Sequence, residues 1–134
     1  MDSQTRVKAI YPFLAVGLIG FFIDALIFFT SINILSVSLA TGRTLASVIA
    51  ISSTWILNRN ITFAKKKSTN VLREWARYSV SSVVGALGNF LTLSCVSQFD
   101  GTLFHIPAYL FGTASGLGIN FFLYKTIVFP TQTD

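Results

Sequence analysis

Four long apolar segments constrain this chain more than any other feature. They run over about residues 11–35, 39–57, 78–99 and 106–124, rich in Phe, Leu, Ile and Val with small residues interspersed. Each is near the ~20 residues needed to cross a ~30 Å hydrocarbon core as a helix. None alternates with the two-residue period of a membrane β-strand, so a barrel is excluded. In 134 residues only 11% are charged and 52% hydrophobic, too few charges to cover a soluble domain of this size. The expectation is an all-α membrane protein with four transmembrane helices, forming one domain over residues 1–134. The first segment is too long for a signal peptide, contains Asp24 and lacks a following A-x-A cleavage site.

Charge sets the orientation. Arg6 and Lys8 precede span one; Arg59, Lys65, Lys66, Lys67, Arg73 and Arg77 lie between spans two and three; Lys125 closes span four. Only Arg43 falls on the other side, a bias of nine to one. The positive-inside rule then places both termini and the middle loop in the cytoplasm, with short outer loops near Ser36–Gly42 and Asp100–Ile106. The run Ala64–Ser68 resembles a nucleic-acid patch, but beside a membrane its lysines fix topology and attract anionic lipid at about 1 kcal/mol each. Ser68–Tyr78 is expected to form a short interfacial helix, with Ser68 as N-cap and Val71, Leu72 and Trp75 on its apolar face.

The two halves echo each other. Gly17, Gly20 and Asp24 of span one match Ser82, Gly85 and Asn89 of span three at an offset of 65. Thr54, Asn58, Arg59, Ile61 and Phe63 match Asn120, Tyr124, Lys125, Ile127 and Phe129 at an offset of 66. Two spans per unit give two parallel repeats about an axis along the membrane normal. The glycines allow close helix approach, as do Gly112 and Gly116 before Asn120. Asp24 and Asn89 are expected to face the interior, because a polar group facing lipid costs several kcal/mol.

Span two carries Arg43, Ser47, Ala50, Thr54 and Asn58 at steps of four, three, four and four, one helical face. Arg59 sits beside its inner end, 16 residues or ~24 Å from Arg43. A lipid phosphate would meet an arginine at each end, and the amides and hydroxyls between would hydrogen-bond a sugar. Against this, Arg59 and Lys125 can snorkel to the interface, and serine and threonine can bond to their own helix. Asp24 and Arg43 lie within an axial gap of ~7–8 Å that the two side chains can bridge, predicting a buried pair. Asp24 then has three open roles: positioning Arg43, hydrogen-bonding sugar hydroxyls, or titrating during transport.

With those residues in view, F13LAVGLIGFFIDALIFF29, R43-x-L-A-S and T54-W-I-L-N-R-N-I-T-F63 resemble the GtrA-like family of small four-span membrane proteins. R77YSVSSVVGALGNFL91 and G118INFFLYKTIVF129 are similar to that family's repeat of its own pattern, although Tyr124-Lys125 stands in place of the fuller Asn-Arg ending. The resemblance implies translocation of a polyprenyl-phosphate-linked sugar, such as undecaprenyl-phosphate glucose, across the cytoplasmic membrane for cell-surface polysaccharide synthesis or modification. It implies a separate membrane glycosyltransferase as partner, with no cofactor. The expected substrate-binding residues are Arg43, Arg59, Asn58, Thr54, Asp24, Asn89, Asn120 and Lys125.

Two other readings stand beside translocation: a non-catalytic subunit that anchors or stabilises a glycosyltransferase, and a small proton-coupled drug exporter. Asp24 lies outside the usual setting of such exporters, and the charge bias forbids dual topology. An enzyme is not expected, since the spans hold no nucleophile–base pair or carboxylate pair. No metal site is expected either: Cys95 is the only cysteine, and His105, the only histidine, reads as an interfacial loop residue. A homo-oligomer would help a four-span unit enclose a headgroup.

Overall fold

A computed structural model describes residues 3–96 and 105–130, which are almost entirely helical. The elements are α1 (Ser3–Asn33), α2 (Leu39–Leu57), α3 (Val71–Val96) and α4 (His105–Leu123). Two of these contain stretches long and apolar enough to cross a membrane, Ala9–Asn33 and Val71–Val96. Helices α2 and α4 are 19 residues each, and the polar content of α2 centres on Arg43 and its Ser/Thr positions. The chain divides into two compact units, Met1–Lys67 and Ser68–Asp134.

The first unit is the hairpin α1–α2. Its turn is tighter than the expected Ser36–Gly42 loop: Ser38 caps α2 by accepting from the Thr41 amide at 3.2 Å, so Gly42 is already helical. A Cβ at Gly42 would lie 2.8 Å from Ile32 Cδ1, and one at Gly20 would collide with Thr54 Cγ2. At these glycines side chains of one helix rest directly on the backbone of the other. The buried residues of α2 are Gly42, Ala46 and Ala50, continued by Asn58 beyond its end, a row at steps of four. The polar face expected through Arg43 and Ser47 lies to one side of that row, and Arg43 is exposed. Small residues win the contact because they bring backbones closest.

Beyond Leu57, α2 continues as one turn of π-helix, Asn58–Thr62, in which the Phe63 amide donates to the Asn58 carbonyl at 2.8 Å. Asn58 is buried, and its side-chain oxygen accepts from the Thr62 hydroxyl at 2.7 Å. Phe63, also buried, closes the turn. A 3₁₀ turn, Ala64–Lys66, follows, and Lys67 folds back to donate to Asn60 Oδ1 at 2.8 Å.

The second unit pairs α3 with α4. The expected separate interfacial helix does not occur; residues 71–78 are the first two turns of a continuous α3. Asn70, rather than Ser68, accepts from the Arg73 amide at 3.0 Å, while Ser68 accepts from Asn70 N at 3.2 Å. Glu74, buried at 1% exposure, reaches back to accept from Ser68 N at 2.7 Å. These bonds occupy donors that a helix start leaves open, and they let the basic segment run straight into the apolar one.

Glycines again mark the crossing. A Cβ at Gly116 would meet the Gly85 carbonyl oxygen at 2.9 Å and Asn89 Cβ at 3.0 Å, and one at Gly85 would collide with Asn120. Thr92 and Ser115 share a hydrogen bond of 2.9 Å across α3 and α4. Helix α4 also ends in a π turn, Tyr124–Val128, with the Phe129 amide donating to the Tyr124 carbonyl at 2.7 Å. Tyr124 stacks on Tyr78 with centroids 4.0 Å apart. Ser82 Oγ lies 2.9 Å from the Tyr78 carbonyl oxygen and shares a hydrogen bond of 2.6 Å with the Tyr124 hydroxyl. Tyr124→Phe is expected to keep the stack, lose that bond and cost about 1 kcal/mol, read as a lower Tm in detergent with helicity unchanged.

The outer loop near Asp100–Ile106 lies outside the described residues up to 104, as does Asp134.

Candidate functional site

Asp24 sits on α1 one helical turn before Phe28, on the same face. Arg43 of α2 meets both. Its Nη1 donates to Asp24 Oδ2 at 2.7 Å and its Nη2 to Oδ1 at 3.0 Å, a bidentate pair. Its guanidinium carbon lies 5.8 Å from the Phe28 ring centroid, within cation–π range. The predicted ion pair therefore forms, but not as a buried one. The Arg43 side chain is 56% exposed and that of Asp24 21%. The register explains how far the arginine must reach. Gly20 lies against Thr54 and Gly42 against Ser31 and Ile32, which sets Asp24 about level with Ala50. Arg43 is seven residues from that level, ~10 Å along the helix, so the pair uses the full length of an arginine.

The remaining residues of the expected track divide between structural and open roles. The Thr54 hydroxyl donates to its own helix, with the Ala50 and Ile51 carbonyl oxygens at 2.9 and 3.0 Å. Its proton is thus taken by its own helix, its oxygen keeps acceptor capacity, and its methyl packs against Gly20. Thr54→Val is expected to leave sugar transfer within about twofold of the parent, since only a surplus bond to an already bonded helix disappears; a transfer assay in cells checks this. Asn58 is buried in the π turn, its side-chain oxygen accepting from Thr62. Arg59 is half-buried one residue further on, 5.9 Å from the Trp55 ring.

In the second unit, Asn89 and Asn120 flank the crossing of Gly85 and Gly116. The Asn120 carbonyl oxygen is enclosed with no hydrogen-bond partner among the described residues. Lys125 is half-buried in the second π turn. Each unit thus carries one cation on its π turn, Arg59 or Lys125, followed four residues later by a buried phenylalanine.

Three features were not anticipated from the amino acids. The buried Glu74 is one; its signal was an acid alone among the basic residues 65–77. The π turns and the Tyr78–Tyr124–Ser82 cluster are the others. No group of three or more potential metal ligands occurs among the described residues.

These are the traits of a helical membrane protein, with glycine-packed apolar helix pairs and a charged contact within one of them. The chain matches the family described as GtrA/DPMS, transmembrane domain, over residues 12–129, and it belongs to that family. Membership associates it with the handling of lipid-linked sugars in a membrane, in a family that is generally non-catalytic. No curated protein matches it.

Proposed function

We propose that this protein translocates a polyprenyl-phosphate-linked sugar, of the undecaprenyl-phosphate glucose type, across the cytoplasmic membrane for surface polysaccharide synthesis or modification. Family membership supports the class of cargo. The observation that carries the reading is the Asp24–Arg43 pair, whose guanidinium is held from two sides and still half exposed. A charge retained in an apolar segment is costly, and such residues mark substrate paths. In this reading all four helices span the membrane as two parallel repeats with both termini cytoplasmic. The matched π turns, and the matched glycines Gly20 and Gly85, support a duplication. Arg43 then stands toward the outer leaflet, with Arg59 and Lys125 toward the cytoplasm. A separate glycosyltransferase supplies the lipid, and a homo-oligomer completes the path.

The ordered segment from Ala64 to Glu74, tied by Lys67–Asn60 and Ser68–Glu74, favours a second reading as a glycosyltransferase-anchoring subunit. The two separate in cells. Under translocation, Asp24→Asn reduces external sugar transfer while a scrambled 65–70 segment, which keeps its three lysines but moves Lys67 and Ser68, does not. The subunit reading demands the reverse, and that result would displace translocation.

A further inference from the structure

The pair leaves half of the guanidinium unused. Arginine has five N–H donors in a planar fork. Arg43 gives one hydrogen from Nη1 and one from Nη2 to the carboxylate of Asp24, an end-on grip that satisfies both oxygens. The guanidinium carbon lies 5.8 Å from the Phe28 ring centroid. The Nε–H and the adjacent remaining Nη hydrogen point along a second edge, and Arg43 makes no other hydrogen bond among the described residues. More than half of the side chain is exposed.

We propose that Arg43 holds two anions at once, Asp24 through its end-on fork and a phosphodiester through its side fork. Asp24 is then a positioning residue that stays bound throughout transport, rather than a counter-ion displaced by the incoming phosphate. This rests on the lipid-linked sugar reading and selects among the three roles left open for Asp24. The chemistry favours it in three ways. The carboxylate neutralises the arginine while no substrate is bound, which lowers the cost of keeping a cation beside lipid. It fixes the guanidinium plane, so less freedom is lost when a phosphate arrives. And a side-on fork matches the paired oxygens of a phosphodiester, which a lysine cannot match.

The test uses the full chain in lipid nanodiscs with 15N-labelled arginine guanidinium groups. The Arg43 Nε–H resonance is identified by its loss in Arg43→Lys. Short-chain polyprenyl-phosphate glucose, phosphatidylglycerol and inorganic phosphate are added in separate arms. The expected result is a shift of that Nε–H resonance with the polyprenyl lipid. Asp24→Asn should weaken its binding roughly threefold to tenfold, and Arg43→Lys by about tenfold or more. If Asp24→Asn instead binds equally or more tightly, the carboxylate competes with phosphate and the two-anion arrangement is overturned. An Nε–H resonance unmoved in every arm also overturns it, and that readout stands even where Asp24→Asn does not fold. Equal shifts with phosphatidylglycerol keep the fork and assign it to ordinary headgroups. A clear shift in a protein that does not translocate lipid keeps the fork and rejects the transport reading alone.

Discussion

Arg43→Ala is expected to abolish external sugar transfer, with a drop of roughly 10- to 100-fold, while the protein still inserts in the membrane. The substitution removes the guanidinium and strands the Asp24 carboxylate, which now lacks both of its charge-assisted bonds. Stability should fall by about 1–3 kcal/mol; the half-exposed arginine keeps this below the cost of breaking a buried pair. Stability and function can be separated. Asp24→Ala/Arg43→Ala removes the stranded charge and should recover much of the lost Tm in detergent, yet transfer should stay absent. External glycosylation of cells, normalised to the amount of protein in the membrane, reads the first quantity. Restored transfer in the double variant would show that the pair is a structural clasp only.

The second large effect concerns packing in the other unit. Gly116→Leu should pull α3 and α4 apart, because the Cβ alone would press on the Gly85 carbonyl at 2.9 Å and on Asn89 Cβ at 3.0 Å. A backbone oxygen cannot rotate away as a side chain would, so relief requires a helix to move. Overpacking of this kind costs about 1–3 kcal/mol for a few added carbons, and a leucine at this contact belongs at the upper end. The control lies two residues on: a Cβ at Gly118 meets nothing within 4 Å. Gly118→Leu should change stability by no more than about 0.5 kcal/mol. Thermal unfolding in one detergent, followed by far-UV circular dichroism, compares the two. Equal losses would mean that the glycine contact does not hold α3 against α4.

Apolar runs and glycines made much of this molecule readable in advance. Helix α2 occupies Leu39–Leu57 as its apolar run predicts, and α4 begins and ends within one residue of its own. The Asp24–Arg43 pair was legible because two opposite charges in neighbouring apolar runs have few alternatives. Its exposure was not, since helical rotation is fixed by which small residues touch. Gly42, Ala46 and Ala50 took the contact and turned Arg43 to the side. Residues 71–78 misled because polarity suggested a break, whereas Asn70 and Glu74 satisfy the helix start and allow one unbroken helix. The π turns at Asn58 and Tyr124 left no periodic trace, because one five-residue turn is too short to impose a repeat on the sequence; each ends on a bond from Phe63 or Phe129. Thr54 reads as a sugar ligand by position, and its hydroxyl proton goes to its own helix at Ala50 and Ile51, a commitment that position alone does not reveal.

The central claim is movement of a lipid-linked sugar, and liposomes test it most directly. The purified full chain is reconstituted with labelled short-chain polyprenyl-phosphate glucose, and the fraction of label open to a membrane-impermeant reagent is followed with time. Translocation predicts that label initially protected inside becomes accessible far faster with the protein than without it, and that Arg43→Ala returns the rate to that of empty liposomes. No acceleration by a correctly folded wild-type chain would contradict the claim.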